Sequence, residues 1–400
     1  MPSPQYLHLL FNPTLKVAGE TVHGEVHLNF PSLMKDEIEA VYVKLQGFVY
    51  TQIYRQITPN IDGRRDQRME LVNQSVCVWK QDERVYPPTG SETLKRQFTF
   101  KLPDNLLPSF ECGKRGNQGG RVRYFVQAFG KRPAASWRAD PSVVMPFPVF
   151  PSLSSGAELR ETLRQGWRGS WRSFSQEKDI RRGIWGEHSH VKATLTIPRI
   201  DALPVLTPIP YTLTITTHSK PMKRSENDSI PTNLIFPVPP NPDQVDFWVE
   251  SDAFIRADTW AAAINGSVVV HLGGLGSSGT NNKVTHVEPV YAETAGKVWI
   301  PSTGDKNDQR GRWKQEIVFR SNFFLTCAPS FTSDLIDVKH NLKLRVDFPG
   351  VGNSLNMEVP VKIISSIYPP EQKAWDGPPP ALELPPTYYQ TIEWDHDEKK

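Results

Sequence analysis

The sequence predicts an all-β protein built from two antiparallel sandwiches, and three observations carry that prediction. Apolar and polar residues alternate with a period of two in segments of both halves, as half-buried strands require. Thirty-six prolines and 26 glycines lie along the whole chain, which suits many short strands cut by turns. Four hundred residues are enough for two cores of ordinary size with a linker and a tail.

The first clear strand is Thr21 to Phe30, where Val22, Val26, Leu28 and Phe30 face inward and His23, Glu25, His27 and Asn29 face water. In the second half the pattern recurs in Val191 to Pro198, with Ala193, Leu195 and Ile197 on one face, and in Tyr211, Leu213 and Ile215. Asn341 to Phe348 repeats it, with Leu342, Leu344, Val346 and Phe348 inward. One wet face per strand is the mark of antiparallel sandwiches and not of doubly covered parallel sheets. These signals place a first sandwich over residues 1–150 and a second over 188–366.

Between them, 151–187 lose the alternation and carry Arg160, Arg164, Trp167, Arg168, Trp171, Arg172 and Trp185, so this segment is expected to be a linker. Arg160, Arg164 and Arg168 fall at helical spacing, although Gly166 and Gly169 weaken a helix there. Trp167, Arg168, Trp171 and Arg172 could set indoles and guanidiniums at a lipid headgroup layer, or pack between the sandwiches. The interrupting glycines favour packing. After residue 366 alternation stops and proline dominates, so 367–400 are expected to form a disordered tail.

Forty-six basic against 43 acidic residues leave a formal charge of +3, too balanced for a nucleic-acid binder without local clustering. The start lacks the basic and apolar regions of a secretory signal, and no apolar run reaches the roughly 20 residues of a spanning helix. The expectation is a cytoplasmic protein. Three cysteines at long, unequal spacings suggest neither a disulfide framework nor a zinc knuckle. Asn73-Gln-Ser75, Asn227-Asp-Ser229 and Asn265-Gly-Ser267 fit the glycosylation pattern but, without a secretory signal, read as ordinary turns.

Within the tail, Leu384, Pro385, Pro386 and Tyr388 form a Leu-Pro-Pro-x-Tyr motif. Paired prolines hold a polyproline II helix in advance, and Tyr388 can fill a neighbouring pocket, which is how WW domains read peptides. In a chain this rich in proline a chance match is the competing reading; placement on an accessible tail supports docking. Gly274-Leu-Gly276-Ser-Ser-Gly279 fits a dinucleotide fingerprint in form, but no helix start follows it, so it reads as a glycine-rich loop. His23 and His27 sit about 13 Å apart on a strand, too far to share a metal. His188 and His190 share a strand face with no third ligand nearby in sequence. No nucleophile elbow or phosphate-cradling lysine loop is present. The sequence therefore predicts a non-enzyme without cofactor or metal.

Several of these stretches resemble the α-arrestin family, the arrestin-related trafficking adaptors, and are most similar to its basidiomycete fungal members. Phe11-Asn-Pro13 with Gly19 to Phe30 is similar to the opening strands of an arrestin N-domain. Phe98 to Phe110, then Val122-Arg-Tyr-Phe-Val126, resembles the family's paired strands around a Leu-Pro and Pro-Ser-Phe turn. Lys178 to Gly186 and Leu206 to Met222 resemble the entry to the C-domain, and the closing motif with its acidic end resembles the family's tails. The resemblance implies two immunoglobulin-like arrestin sandwiches bridging plasma-membrane transporters or receptors to a WW-domain HECT-type ubiquitin ligase, with recruitment to plasma membrane and endosomes. It assigns ligase docking to Leu384, Pro385, Pro386 and Tyr388. Two other readings stand beside it: an arrestin-fold scaffold of the retromer or coat class working without a ligase, and a β-sandwich ligand binder or enzyme with a pocket between the domains.

Overall fold

The computed structural model describes residues 6–58, 61–113, 118–181, 188–224, 238–276, 289–302 and 310–368. In chain order the first half holds β1 (Leu7–Phe11), β2 (Lys16–Val17), β3 (Thr21–Asn29), α1 (Phe30–Lys35), β4 (Ala40–Thr58), β5 (Ile61–Lys80), β6 (Thr93–Lys101), β7 (Phe110–Gly113), β8 (Gly119–Lys131), β9 (Ser142–Phe147) and β10 (Val149–Phe150). The second half holds α2 (Ser154–Arg164), β11 (Trp171–Arg181), β12 (His188–Pro198), β13 (Leu203–Pro204), β14 (Ile209–His218), β15 (Met222–Lys223), β16 (Val245–Ala257), β17 (Trp260–His271), β18 (Tyr291–Pro301), β19 (Arg310–Phe323), β20 (Phe331–Thr332), β21 (Ile336–Asp347), β22 (Ser354–Val361) and β23 (Ile363–Ile364).

Each half is a sandwich of two antiparallel sheets. In the first, β1-β3-β6 faces β5-β4-β8-β7, with β9 also on β8. In the second, β11-β12-β14-β19 with β15 and β18 on β19 faces β17-β16-β21, with β20 and β22 on β21. The alternation read from the sequence decides which faces meet. Val22, Val26 and Leu28 of β3, Ala193, Leu195 and Ile197 of β12, and Leu342, Leu344 and Val346 of β21 are all buried. Burial of such rows, at about 25 cal/mol per Å² of apolar surface, is the main term holding each sandwich together.

The two cores interpenetrate. The inward row of β16 begins in the second sandwich and ends in the first, and that of its antiparallel neighbour β21 begins in the first and ends in the second. Ala253, Ile255, Ala257, Ile336 and Val338, with Ala328 and Leu335, belong to the first core. In return Val17 and Phe150 are buried in the second. Phe110 and Phe331 meet edge to face across the boundary, 5.6 Å between centroids. A side chain at Gly120 would press on Ile336 and Ile255, at 2.9 and 3.0 Å, so a bare backbone lets the halves close.

Four sequence expectations change. The segment 151–187 is not wholly a linker. It contains α2, and β11 pairs with β12 over eleven residues from Trp171 opposite Pro198 to Arg181 opposite His188. The strand was hidden because it lies at a sheet edge with only Ile180 buried, so neither face is selected for apolar residues. Arg160 and Arg164 do lie on a helix, but α2 stops before Arg168, at Gly166, whose φ of +92° is the left-handed closing position glycine favours. Phe30 does not extend β3. It opens α1, capped by the Asn29 side chain, which accepts from the Ser32 amide, with proline in the first turn. Finally, Asn73 lies within β5 and Asn265 within β17, not in turns, while Asn227 lies outside the described residues. Gly266, at φ +62°, sits by an irregular stretch of the β16–β17 pairing.

Among the described residues no helix is long and apolar enough to cross a membrane.

Candidate functional site

Two broad sheet faces are the surfaces on which this architecture places reactive or binding side chains. On the first sandwich, β4 and β8 are buried on their inner side and partly buried on their outer side, where the outward row carries large side chains. Opposite residues on the two strands bring Phe48 beside Arg123, Tyr50 beside Arg121 and Tyr42 beside Phe129. Cations cover the rings: the Arg68 guanidinium lies 4.2 Å from the Phe48 centroid, Arg121 4.5 Å from Tyr50, and the Lys44 ammonium 4.8 Å from Phe129. Phe48 packs edge to face on Phe125, and Tyr42 stacks on Phe129 at 5.5 Å. Arg123 is buried and donates to Glu111 at 2.9 Å. The face is thus an aromatic platform carrying guanidiniums, suited to contact with polar or acidic protein segments.

The open face of the second sandwich is different. Strand pairing lines Ser173 with Thr196 and Ser175 with Thr194, whose hydroxyls bond at 2.8 and 2.9 Å. Two rows further along, Asp179 accepts from His190 Nδ1 at 2.9 Å, and Glu177 of the row between lies 3.6 Å from its Nε2. His218, opposite His190 on β14, is held below the ordinary histidine pKa by burial and by the neighbouring His190, Lys314 and Arg312. Cross-strand pairing supplies these neighbours to His190, which is why sequence proximity did not reveal them. His23 bonds Thr99 and His27 contacts Glu25, each as an outward polar side chain. Among the described residues no three His, Cys, Asp or Glu side chains are grouped to hold a metal ion.

Two further titratable outliers, Cys112 and Tyr6, lie in the first core. Burial pushes the Cys112 thiol up to about 12 and the Tyr6 phenol to about 12. A thiol held protonated in this way is an inert packing group. The stretch after β17 forms a turn in which Gly273 and Gly274 take positive φ, Leu275 is buried, and the Gly273 carbonyl accepts from the Tyr211 hydroxyl at 2.7 Å. Up to Gly276 it is a loop; Gly279 lies outside the described residues.

Residues 12–154 match the family model of the Arrestin (or S-antigen), N-terminal domain. That span runs from the end of β1 to the start of α2, which is the first sandwich. The all-β, two-sandwich layout is accordingly an arrestin-type fold. No curated protein shows significant similarity to the chain.

Against this arrestin-like frame the four Trp and Arg residues singled out earlier divide. Trp167 packs on the core of the second sandwich and its indole donates to the Ser170 carbonyl at 3.0 Å. Gly169 is required there, since a Cβ would come within 2.4 Å of the Trp167 ring. Arg168 is exposed. Trp171 is 45% exposed at the start of β11, and the Arg172 guanidinium covers Phe174 at 4.8 Å. Leu384, Pro385, Pro386 and Tyr388 lie outside the described residues. What sequence reasoning missed is the cation-covered face of β4 and β8. A signal existed in the recurrence of Phe and Tyr opposite Arg, but aromatic residues mixed with Lys, Arg and Gln on the outward row blur the alternation.

Proposed function

We propose that the chain is a trafficking adaptor that brings a WW-domain, HECT-type ubiquitin ligase to cytosolic segments of membrane transporters or receptors, so that the cargo is ubiquitinated and internalised. The observation that carries this reading is the arrestin N-terminal domain match over residues 12–154, in a chain whose sequence also contains Leu384-Pro385-Pro386-x-Tyr388. In this account the protein works by proximity and not by catalysis. The sandwich faces hold cargo, Tyr388 and its prolines hold the ligase, and the tether raises the ligase's effective concentration to about the millimolar range. The protein is cytoplasmic and joins plasma membrane and endosomes through its cargo, with peripheral contact from the exposed Arg168 and Trp171. The motif occurs once, so docking has no avidity from a second copy.

The adaptor's own lysines offer a test that needs no knowledge of cargo. The purified chain is mixed with ubiquitin, activating and conjugating enzymes and a WW-domain HECT ligase. The expected result is ubiquitin on the chain, lost in Tyr388→Ala. Equal modification of wild type and variant would favour the ligase-independent coat scaffold.

A further inference from the structure

β4 and β5 run for 19 and 20 residues, far beyond the five or six of a common strand. The inward row of β4 builds the first core through Val49 and Ile53, with polar Thr51 between them and exposed Arg55 beyond. Gln67 stands opposite Thr51 and Arg65 opposite Ile53. This extension meets the tight turn between β16 and β17, where Ala257 pairs with Trp260 and Asp258 takes φ +54°.

Four polar side chains of the extension find partners there. The Thr51 hydroxyl donates to the Arg256 carbonyl at 2.5 Å and Arg55 donates to the Ala261 carbonyl at 2.6 Å. Gln67 accepts from the Asp258 amide at 2.8 Å, and Arg65 lies 3.6 Å from the Asp258 carboxylate. The Trp260 ring sits near both guanidiniums, with Arg55 5.2 Å and Arg65 5.4 Å from its centroid.

We infer that this turn is a latch. Trp260, held by Arg55 and Arg65, fixes the angle between the two sandwiches, so that a partner on one is presented in a set orientation to a partner on the other. Apolar contact alone would hold the halves together without defining their rotation, because it is non-directional. Directed backbone hydrogen bonds and ring-facing guanidiniums on both sides of the turn supply the missing constraint. The inference stands apart from ligase recruitment, since no residue of the latch lies in the tail.

Hydrogen exchange on the full chain tests it. Trp260→Ala is expected to speed exchange about tenfold or more at 51–55 and at 256–260 together, while strands remote from the seam stay as in wild type. Trp260→Phe keeps a ring for the cations and is expected to restore most of the protection. The double variant Arg55→Met, Arg65→Met keeps apolar stems on exposed side chains, folds even if Trp260→Ala does not, and is expected to reproduce the paired loss. Unchanged exchange at 51–55 in the double variant, or loss confined to the turn itself, would overturn the latch.

Discussion

His340 lies in the inward row of β21, with the first core on one side at Val338 and the second on the other at Leu342. Its Nδ1 bonds the Ser330 hydroxyl at 3.0 Å, while Nε2 is buried with no hydrogen-bond partner among the described residues. Burial pulls the pKa from 6.5 down to about 4. Above the unfolded value both states are neutral and the group adds no pH dependence. Below it the unfolded chain takes a proton that the folded chain refuses, so stability falls by about 1.4 kcal/mol per pH unit until the folded value is reached. Denaturant titrations from pH 7 to pH 4 are expected to show this loss, and His340→Gln to flatten its lower part. His218, also held low, contributes with the same sign over its own window. A slope unchanged in the variant would assign the loss elsewhere.

At the scale of elements, β11 shows what sequence could and could not reveal. Strands with one buried face, such as β3, β12, β14 and β21, declare themselves by alternation. An edge strand covered on neither face does not, and its Ser, Gln, Glu, Lys and Asp read as linker. What holds β11 is pairing to β12 plus a clasp from the opposite sheet. Buried Asn353, in the turn before β22, donates to the Arg181 carbonyl and the Pro349 carbonyl at 2.8 Å each and accepts from the Arg181 amide at 3.3 Å. Lys178 adds bonds to the carbonyls of Gly352 and Ser354. Asn353→Ala is expected to cost about 1–3 kcal/mol by urea unfolding and to expose the Arg181 amide to exchange. No change in either would mean that pairing with β12 alone fixes the strand. The cation-covered face of the first sandwich stayed hidden for another reason: aromatic residues mixed with Lys, Arg and Gln on the outward row of β4 and β8 blur period two.

For the molecule as a whole, residue 150 looks like a boundary in the sequence but not in the cores. The first core is completed by Ala253, Ile255, Ala257, Ile336 and Val338, and the second by Val17 and Phe150. A fragment of residues 1–150 is therefore expected to lack a cooperative unfolding transition and to bind a hydrophobic dye, because a row of its apolar contacts is missing. A fragment that unfolds cooperatively as a monomer would show the seam to be dispensable. The all-β sandwich class was readable from alternation and the spread of turn residues, and the arrestin type only from the resemblance of the quoted stretches. The mutual completion of cores was not, since it depends on which strand ends meet. Ligase recruitment rests on four residues of the tail, and one titration reaches it most directly: calorimetric binding of an isolated WW domain to the full chain, wild type against Tyr388→Ala. The account predicts micromolar binding that disappears in the variant. Equal binding by both chains, or none by either, would contradict it.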